Sequence, residues 1–289
     1  MKNQPDNRSD IYRISLNAEQ KNDVRIMAFD YIDKGYSVLD VGCACGDLGE
    51  LLHKNKECKM FGMEYDAGSI AIASGTHAYQ SIHQIDLNDF NEKDYTQYFN
   101  YFDVITLLDV LEHLANPENV VSSLKKLLKK DAFLIISIPN IAFCDIKVGL
   151  LQDDFTYTDT GILDRTHIKF YTYKSISSML TSLGLEVQEC KPKVAYFSTN
   201  TLKVPGSIKR YIKKDPHSFV YQYIVKALPS DKAPSQLKQV NDVKMDIQWS
   251  AISGELGKLK RRNLISKIFP KDSFQHKMAK KLKSFFNNG

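Results

Sequence analysis

The chain has 289 residues, 43% of them hydrophobic and 25% charged, with a net charge of +5. That is enough apolar material for one large domain with an appendage, and too much for a disordered chain. No apolar run reaches the ~20 residues of a membrane-spanning helix, the opening MKNQPDNRSD lacks a leader-like stretch, and the five cysteines are scattered and odd in number. A soluble cytoplasmic protein without a disulfide framework is expected.

In chain order, residues 37 to 41 (SVLDV) form an apolar run closed by Gly42, and Asp47 to His53 has the spacing of an opening helix. Further strands are predicted at 59–63, around Ile82 to Ile85, at 103–108 and at 132–138, with helical patterns between them. This alternation predicts parallel strands joined by crossover helices. A helix is predicted from Pro117 to Lys130, with Val120, Val121, Leu124, Leu127 and Leu128 on one face, and Asn116 as its N-cap. Residues 141 to 173 read as irregular structure over an active site. A helix from Ser175 to Leu183 then ends at Gly184, and Leu185 to Cys190 reads as the last strand.

The charge divides unevenly: 20 basic and 28 acidic residues precede position 200 or fall on it, and 19 basic and 6 acidic residues follow it. We therefore expect a catalytic domain over residues 1–195 and a basic helical extension over 196–289. Within the extension, Met245, Trp249, Ile252, Leu256 and Leu259 form a short heptad-like seam. Phe274, Met278, Leu282, Phe285 and Phe286 form one face of a lysine-flanked helix. Such a tail suits peripheral contact with the inner face of a membrane, or with a second copy of the chain to give a homo-oligomer. Nucleic acid is disfavoured, because the tail carries no recognition motif or stacking platform.

The chemistry starts in Val38-Leu39-Asp40-Val41-Gly42-Cys43-Ala44-Cys45-Gly46, a strand ending in an acid followed by a turn of small residues. Gly42 and Gly46 let a ligand approach the backbone at the carboxyl edge of the first strand. No Gly-Lys-Ser/Thr follows, which excludes a nucleoside-triphosphate loop. Glu64 ends the second strand, where a carboxylate can accept both ribose hydroxyls, and Asp86 ends the third, within reach of an adenine amino group.

Over roughly residues 35 to 190 the sequence resembles the class I S-adenosylmethionine-dependent methyltransferases. The resemblance implies a Rossmann-like, doubly wound α/β fold with a mostly parallel seven-stranded sheet. It also implies that Asp40, Gly42, Cys43 and Gly46 line the methionine part of the cofactor, Glu64 the ribose, Asp86 and Leu87 the adenine, and Asp109 the transferred methyl, with Tyr65 also in the cofactor site. Ala44 stands where the family usually has glycine, which implies weakened but retained binding. Asp109-Val110-Leu111-Glu112-His113-Leu114 looks like the fourth strand's end and turn in the same family. The stretch Gly161-Ile162-Leu163-Asp164-Arg165-Thr166-His167 resembles bacterial methyltransferases associated with surface-polysaccharide and glycosyl-transfer pathways, which puts His167 nearest the acceptor.

A sugar or glycan-precursor hydroxyl does not ionise unaided at neutral pH. One expectation is that His167 or His113 takes its proton, beside Asp109. The other is a divalent metal, Mg2+, Mn2+ or Zn2+, held by Asp109, Glu112, His113 and His167. That set is similar to the acid-x-x-Glu-His pattern of ubiquinone-biosynthesis O-methyltransferases and to the set that a later histidine completes in plant small-RNA 2′-O-methyltransferases. With metal, an RNA 2′-hydroxyl or a small phenol is the alternative acceptor; a non-catalytic scaffold is the alternative to an enzyme. The plainer readings are that Glu112 and His113 cap the turn, that the aromatics between Phe155 and Tyr173 are a lid's local core, and that Ser137 is ordinary strand. Tyr12 is a candidate to close over the cofactor.

Overall fold

The structure is a computed structural model that describes residues 22–195, 204–232 and 236–237. Its first helix, α1 (Val24–Phe29), is capped by Asp23, whose carboxylate accepts from the Arg25 amide. β1 (Ser37–Val41) is buried along its whole length, and α2 (Asp47–Lys56) follows it after the small-residue turn. Then come β2 (Lys59–Glu64), α3 (Ala67–Gly75), β3 (Tyr79–Gln84), β4 (Phe102–Leu108) and α4 (Pro117–Leu124). The second half comprises β5 (Leu128–Pro139), α5 (Cys144–Leu151), α6 (Tyr173–Ser182), β6 (Leu185–Val194), α7 (Gly206–Lys214) and β7 (Val220–Pro229).

The seven strands form one sheet in the order β3-β2-β1-β4-β5-β7-β6, parallel from β3 through β5. β7 runs antiparallel to both β5 and β6. The central strands read as continuous apolar runs because both faces are covered: Val38, Val41, Val104, Ile105, Leu107, Leu134 and Ile135 are all buried. On one side Val24 and Ala28 of α1 join Leu48 and Leu52 of α2 in a cluster that also takes in Ile224 of β7. Strand order reverses between β1 and β4, so the carboxyl ends of these strands open the crevice in which open α/β sheets bind ligands.

Three expectations need correction. The helix from Pro117 ends at Leu124; Lys125–Leu127 is a 3-10 turn and Leu128 opens β5 by pairing with Phe102, so Lys129 and Lys130 are strand residues. Residues 141 to 173 are not simply irregular, since α5 packs Phe143, Cys144 and Val148 with Ile162 into a small core shared with Val204 and Ile212. The sheet does not end at Cys190: β6 runs to Val194, and β7 lies beyond the boundary expected at 195, wedged between β5 and β6.

All five cysteines are buried. No helix among the described residues is long and apolar enough to cross a membrane. Tyr12, the heptad-like seam and the final basic helix lie outside the described residues.

Candidate active site

The turn after β1 has alternating left-handed residues, Gly42 at φ +70°, Ala44 at +45° and Gly46 at +83°. For alanine this conformation costs ~1 kcal/mol, and the turn is braced where that cost falls. The Ala44 amide donates to Glu64 Oε2 at 2.9 Å, while Glu64 Oε1 accepts from the Tyr65 and Asp66 amides at 2.8 and 2.9 Å. Glu64 thereby clamps the end of β2 to the turn, and Oε2, with a single donor, keeps acceptor capacity. Tyr65, next along, is 70% exposed.

Asp40 lies beneath this turn. Its carboxylate accepts from the Tyr79 hydroxyl at 2.8 Å and the Thr106 hydroxyl at 2.7 Å. Burial pushes its pKa up to about 6; the two hydroxyls pull the other way, and the Glu64 charge adds to the rise. Tyr79 reaches it from β3 only because Gly49 has no side chain, since a Cβ there would lie 2.2 Å from the ring. Asp40 is thus spent on internal donors and acts from under the turn. Cys43 is similarly turned inward, its sulfur so close to Gly62 that a Cβ there would be 2.9 Å away; burial pushes its thiol far up.

Asp86 is exposed at the end of β3 and caps the 3-10 turn Leu87–Asp89, its Oδ1 taking the amide and side chain of Asn88. Asn88 in turn accepts from the Ala115 amide at 2.9 Å, joining this corner to the loop after β4.

Asp109, just past β4, is itself left-handed at φ +58°. It is open to solvent yet closely surrounded by protein, as on the wall of a cleft, and this crowding raises its pKa against the pull of Ser137, Lys193, His113 and His167. Its Oδ1 accepts from the Ser137 hydroxyl at 2.7 Å and from the Gln222 amide. Neither partner was foreseen. From the sequence Ser137 reads as ordinary strand, and Gln222 sits on β7, where an isolated amide in an apolar run is the available signal.

The four expected metal ligands separate. Glu112, His113 and His167 offer ligand atoms all within 4.8 Å of one another; Asp109 is outside this group, held by Ser137 and Gln222. The two rings meet edge to face with centroids 4.8 Å apart. His113 Nδ1 faces the Thr166 carbonyl at 3.2 Å and His167 Nδ1 the Ile162 carbonyl at 3.0 Å. Carbonyls only accept, so in a neutral ring each Nδ1 carries the proton and each Nε2 keeps a lone pair. Glu112 is 1% exposed, and neither of its carboxylate oxygens has a hydrogen-bond partner among the described residues. Burial, then the Asp109 charge, drives its pKa well up, while burial and His167 push His113 down.

The loop is fixed by its own bonds. The Glu112 carbonyl accepts from the Ile168 and Lys169 amides at 2.9 and 3.0 Å, and Asp164 Oδ1 accepts the amide and hydroxyl of Thr166. On the same segment, Phe155, Tyr157 and Phe170 pack ring to ring at 5.6 to 6.2 Å, with Phe155 and Tyr157 exposed by more than a third.

Comparison with known proteins places this geometry in context. The family model described as "Methyltransferase domain" matches residues 13–190. A ubiquinone biosynthesis O-methyltransferase of Glaesserella parasuis serovar 5 (strain SH0165) is 31% identical over 169 residues, which is 56% of this chain and 69% of that protein. Among solved structures, the cyclase SpnF superposes with a TM-score of 0.51 at 14% identity, covering 76% of this chain and 86% of its own. A complex between the Haloferax volcanii Trm112 methyltransferase activator and a methyltransferase gives 0.53 at 12% identity, covering 78% and 95%. At such identities the structural likeness is one of fold.

Proposed function

The chain belongs to the methyltransferase-domain family and is an S-adenosylmethionine-dependent methyltransferase, and on that premise we propose that it methylates a hydroxyl on a ring-bearing acceptor, a sugar or surface-glycan precursor, with a divalent cation held by Glu112, His113 and His167. The observation that carries this reading is the Glu112 carboxylate, buried, without a donor among the described residues, and grouped with two imidazoles whose Nδ1 atoms face carbonyls and whose Nε2 atoms keep a lone pair in the neutral ring. A buried carboxylate in this state is costly unless something positive completes it. One carboxylate and two imidazoles suit Mn2+ or Zn2+ better than Mg2+.

When bound, S-adenosylmethionine supplies a methyl on a sulfonium, given up by in-line displacement. In this proposal the backbone at Gly42, Cys43 and Gly46 meets the methionine part of the cofactor, with Asp40 stiffening the turn from below. Glu64 Oε2 accepts from the ribose, and Tyr65, Asp86 and Leu87 border the adenine. Asp109, oriented by Ser137 and Gln222, stands beside the transferred methyl. A cation at Glu112, His113 and His167 would lower the pKa of an acceptor hydroxyl. Phe155, Tyr157 and Phe170 offer ring faces against which a sugar can lie. The sugar class rests on the resemblance around His167. The name of the Glaesserella relative, an O-methyltransferase of ubiquinone biosynthesis, favours a second reading in which the acceptor ring is a quinone precursor.

The test is methyl transfer to sugar-nucleotide, glycan-precursor and phenolic acceptors before and after chelation, with Mn2+, Zn2+ and Mg2+ restored one at a time. Activity lost on chelation and regained with metal supports the cation. Activity indifferent to chelation, and lost in His113→Ala or His167→Ala, replaces the cation with a histidine base.

A further inference from the structure

Helix α7 lies beyond the residues matched by the methyltransferase family model. It presents its inner face, Ile208 and Ile212, to the small core formed by Phe143, Cys144, Val148 and Ile162. With 3.6 residues per turn, Arg210, Lys213 and Lys214 fall on the opposite pole, flanked by Lys209 and Tyr211. Arg210, Lys213 and Lys214 are exposed, and Tyr211 is 73% exposed. None of the four cations forms an ion pair among the described residues. A row of unpaired cations on a short helix repels itself, and an anionic surface relieves that repulsion.

A second feature adjoins it. Helix α5 shares the same small core, and Lys147 of α5 pairs with Asp215, just past α7, at 2.5 Å. One turn further on, Leu150 and Leu151 are 55% and 63% exposed. The acids of the following loop are partly engaged locally, Asp154 with Thr156 and Asp159 with Arg165.

We infer that α7 and the end of α5 form a docking face for an anionic lipid bilayer, with Arg210, Lys213 and Lys214 at the headgroups and Leu150, Leu151 and Tyr211 at the acyl boundary. A nucleic acid would use the cations but has no use for an exposed leucine pair, whereas a bilayer uses both. The face shares its small core with Ile162, five residues before His167, so docking would place the membrane against the same subassembly that supports the His167 loop.

The experiment is sedimentation of the full chain with vesicles of phosphatidylcholine alone and of phosphatidylcholine mixed with phosphatidylglycerol. Binding is expected only to the anionic vesicles, weakening as salt rises. Arg210→Glu/Lys213→Glu/Lys214→Glu is expected to weaken it roughly ten-fold or more. Leu150→Ser/Leu151→Ser is expected to weaken it about five-fold and leave the remainder more salt-sensitive. Retained S-adenosylmethionine binding shows that each variant is folded. Two results overturn the proposal: binding undiminished in both variants, which assigns it to the basic residues of the tail, or an RNA or acidic protein bound by a chain that ignores anionic vesicles.

Discussion

The two halves of the crevice treat their carboxylates in opposite ways. On the side built from β1, β2 and β3, every acid singled out already has protein donors: Asp40 has two hydroxyls, Glu64 three backbone amides and Asp86 the amide and side chain of Asn88. On the side built from β4 and the segment that follows β5, Glu112 is the most deeply buried acid among the described residues and has no donor among them. The first pattern is that of preorganisation: charges held in place so that binding a ligand requires little rearrangement. The second is that of an incomplete site, whose cost in the folded chain is recovered only when a positive group arrives.

Substitutions separate the two most sharply at Glu112. Glu112→Gln is expected to reduce turnover ~1000-fold while leaving the metal-free protein as stable or up to about 2 kcal/mol more stable, read by methyl transfer and chemical denaturation. A loss of both activity and stability would make Glu112 a structural residue and erase the contrast.

Next in size is the pH response of Asp40. Its folded-state pKa is raised from 3.8 to about 6, so the folded chain holds this proton more tightly than the unfolded chain does. Its contribution to stability is therefore fully present below pH ~4 and is lost as pH rises towards ~6, on the order of 3 kcal/mol in all. Denaturation across that window should show this component in the wild type and its absence in Asp40→Asn.

Gly49→Ala sharpens the same point from the other partner. Helix propensity alone would favour alanine by ~1 kcal/mol, but the new Cβ would collide with the Tyr79 ring and pull its hydroxyl off Asp40. A net loss of about 2 kcal/mol is expected, together with weaker S-adenosylmethionine binding by calorimetry; a gain in stability would show that the Tyr79–Asp40 bond carries little.

The smallest effect is expected at Gln222. Gln222→Ala removes one of the two side-chain donors to Asp109 Oδ1 and should lower turnover ~10-fold with cofactor affinity nearly intact, and Gln222→Asn should fail to restore it because the shorter side chain falls short. An equal loss of cofactor affinity would move Asp109 to the preorganised half.

What the sequence determined by itself is local. The alternation of apolar runs with helical spacing gives the parallel sheet and its crossovers, and Glu64, Asp86 and Asp109 mark strand ends because a charge terminates a buried run, whereas Asp40 sits inside the buried run of β1. The grouping of Glu112, His113 and His167 was legible through family resemblance, although they lie on segments more than fifty residues apart. Tertiary structure decided the rest. β7 is not legible in the sequence because Gln222 and Lys226 interrupt its apolar run and the change in charge near residue 200 suggests an earlier boundary. Its place between β5 and β6 depends on which strand edges remain open after the chain folds. Whether a carboxylate is braced or left without a donor depends on which groups pack around it from distant segments, and the neighbours of Asp40 or Glu112 along the chain do not specify those groups.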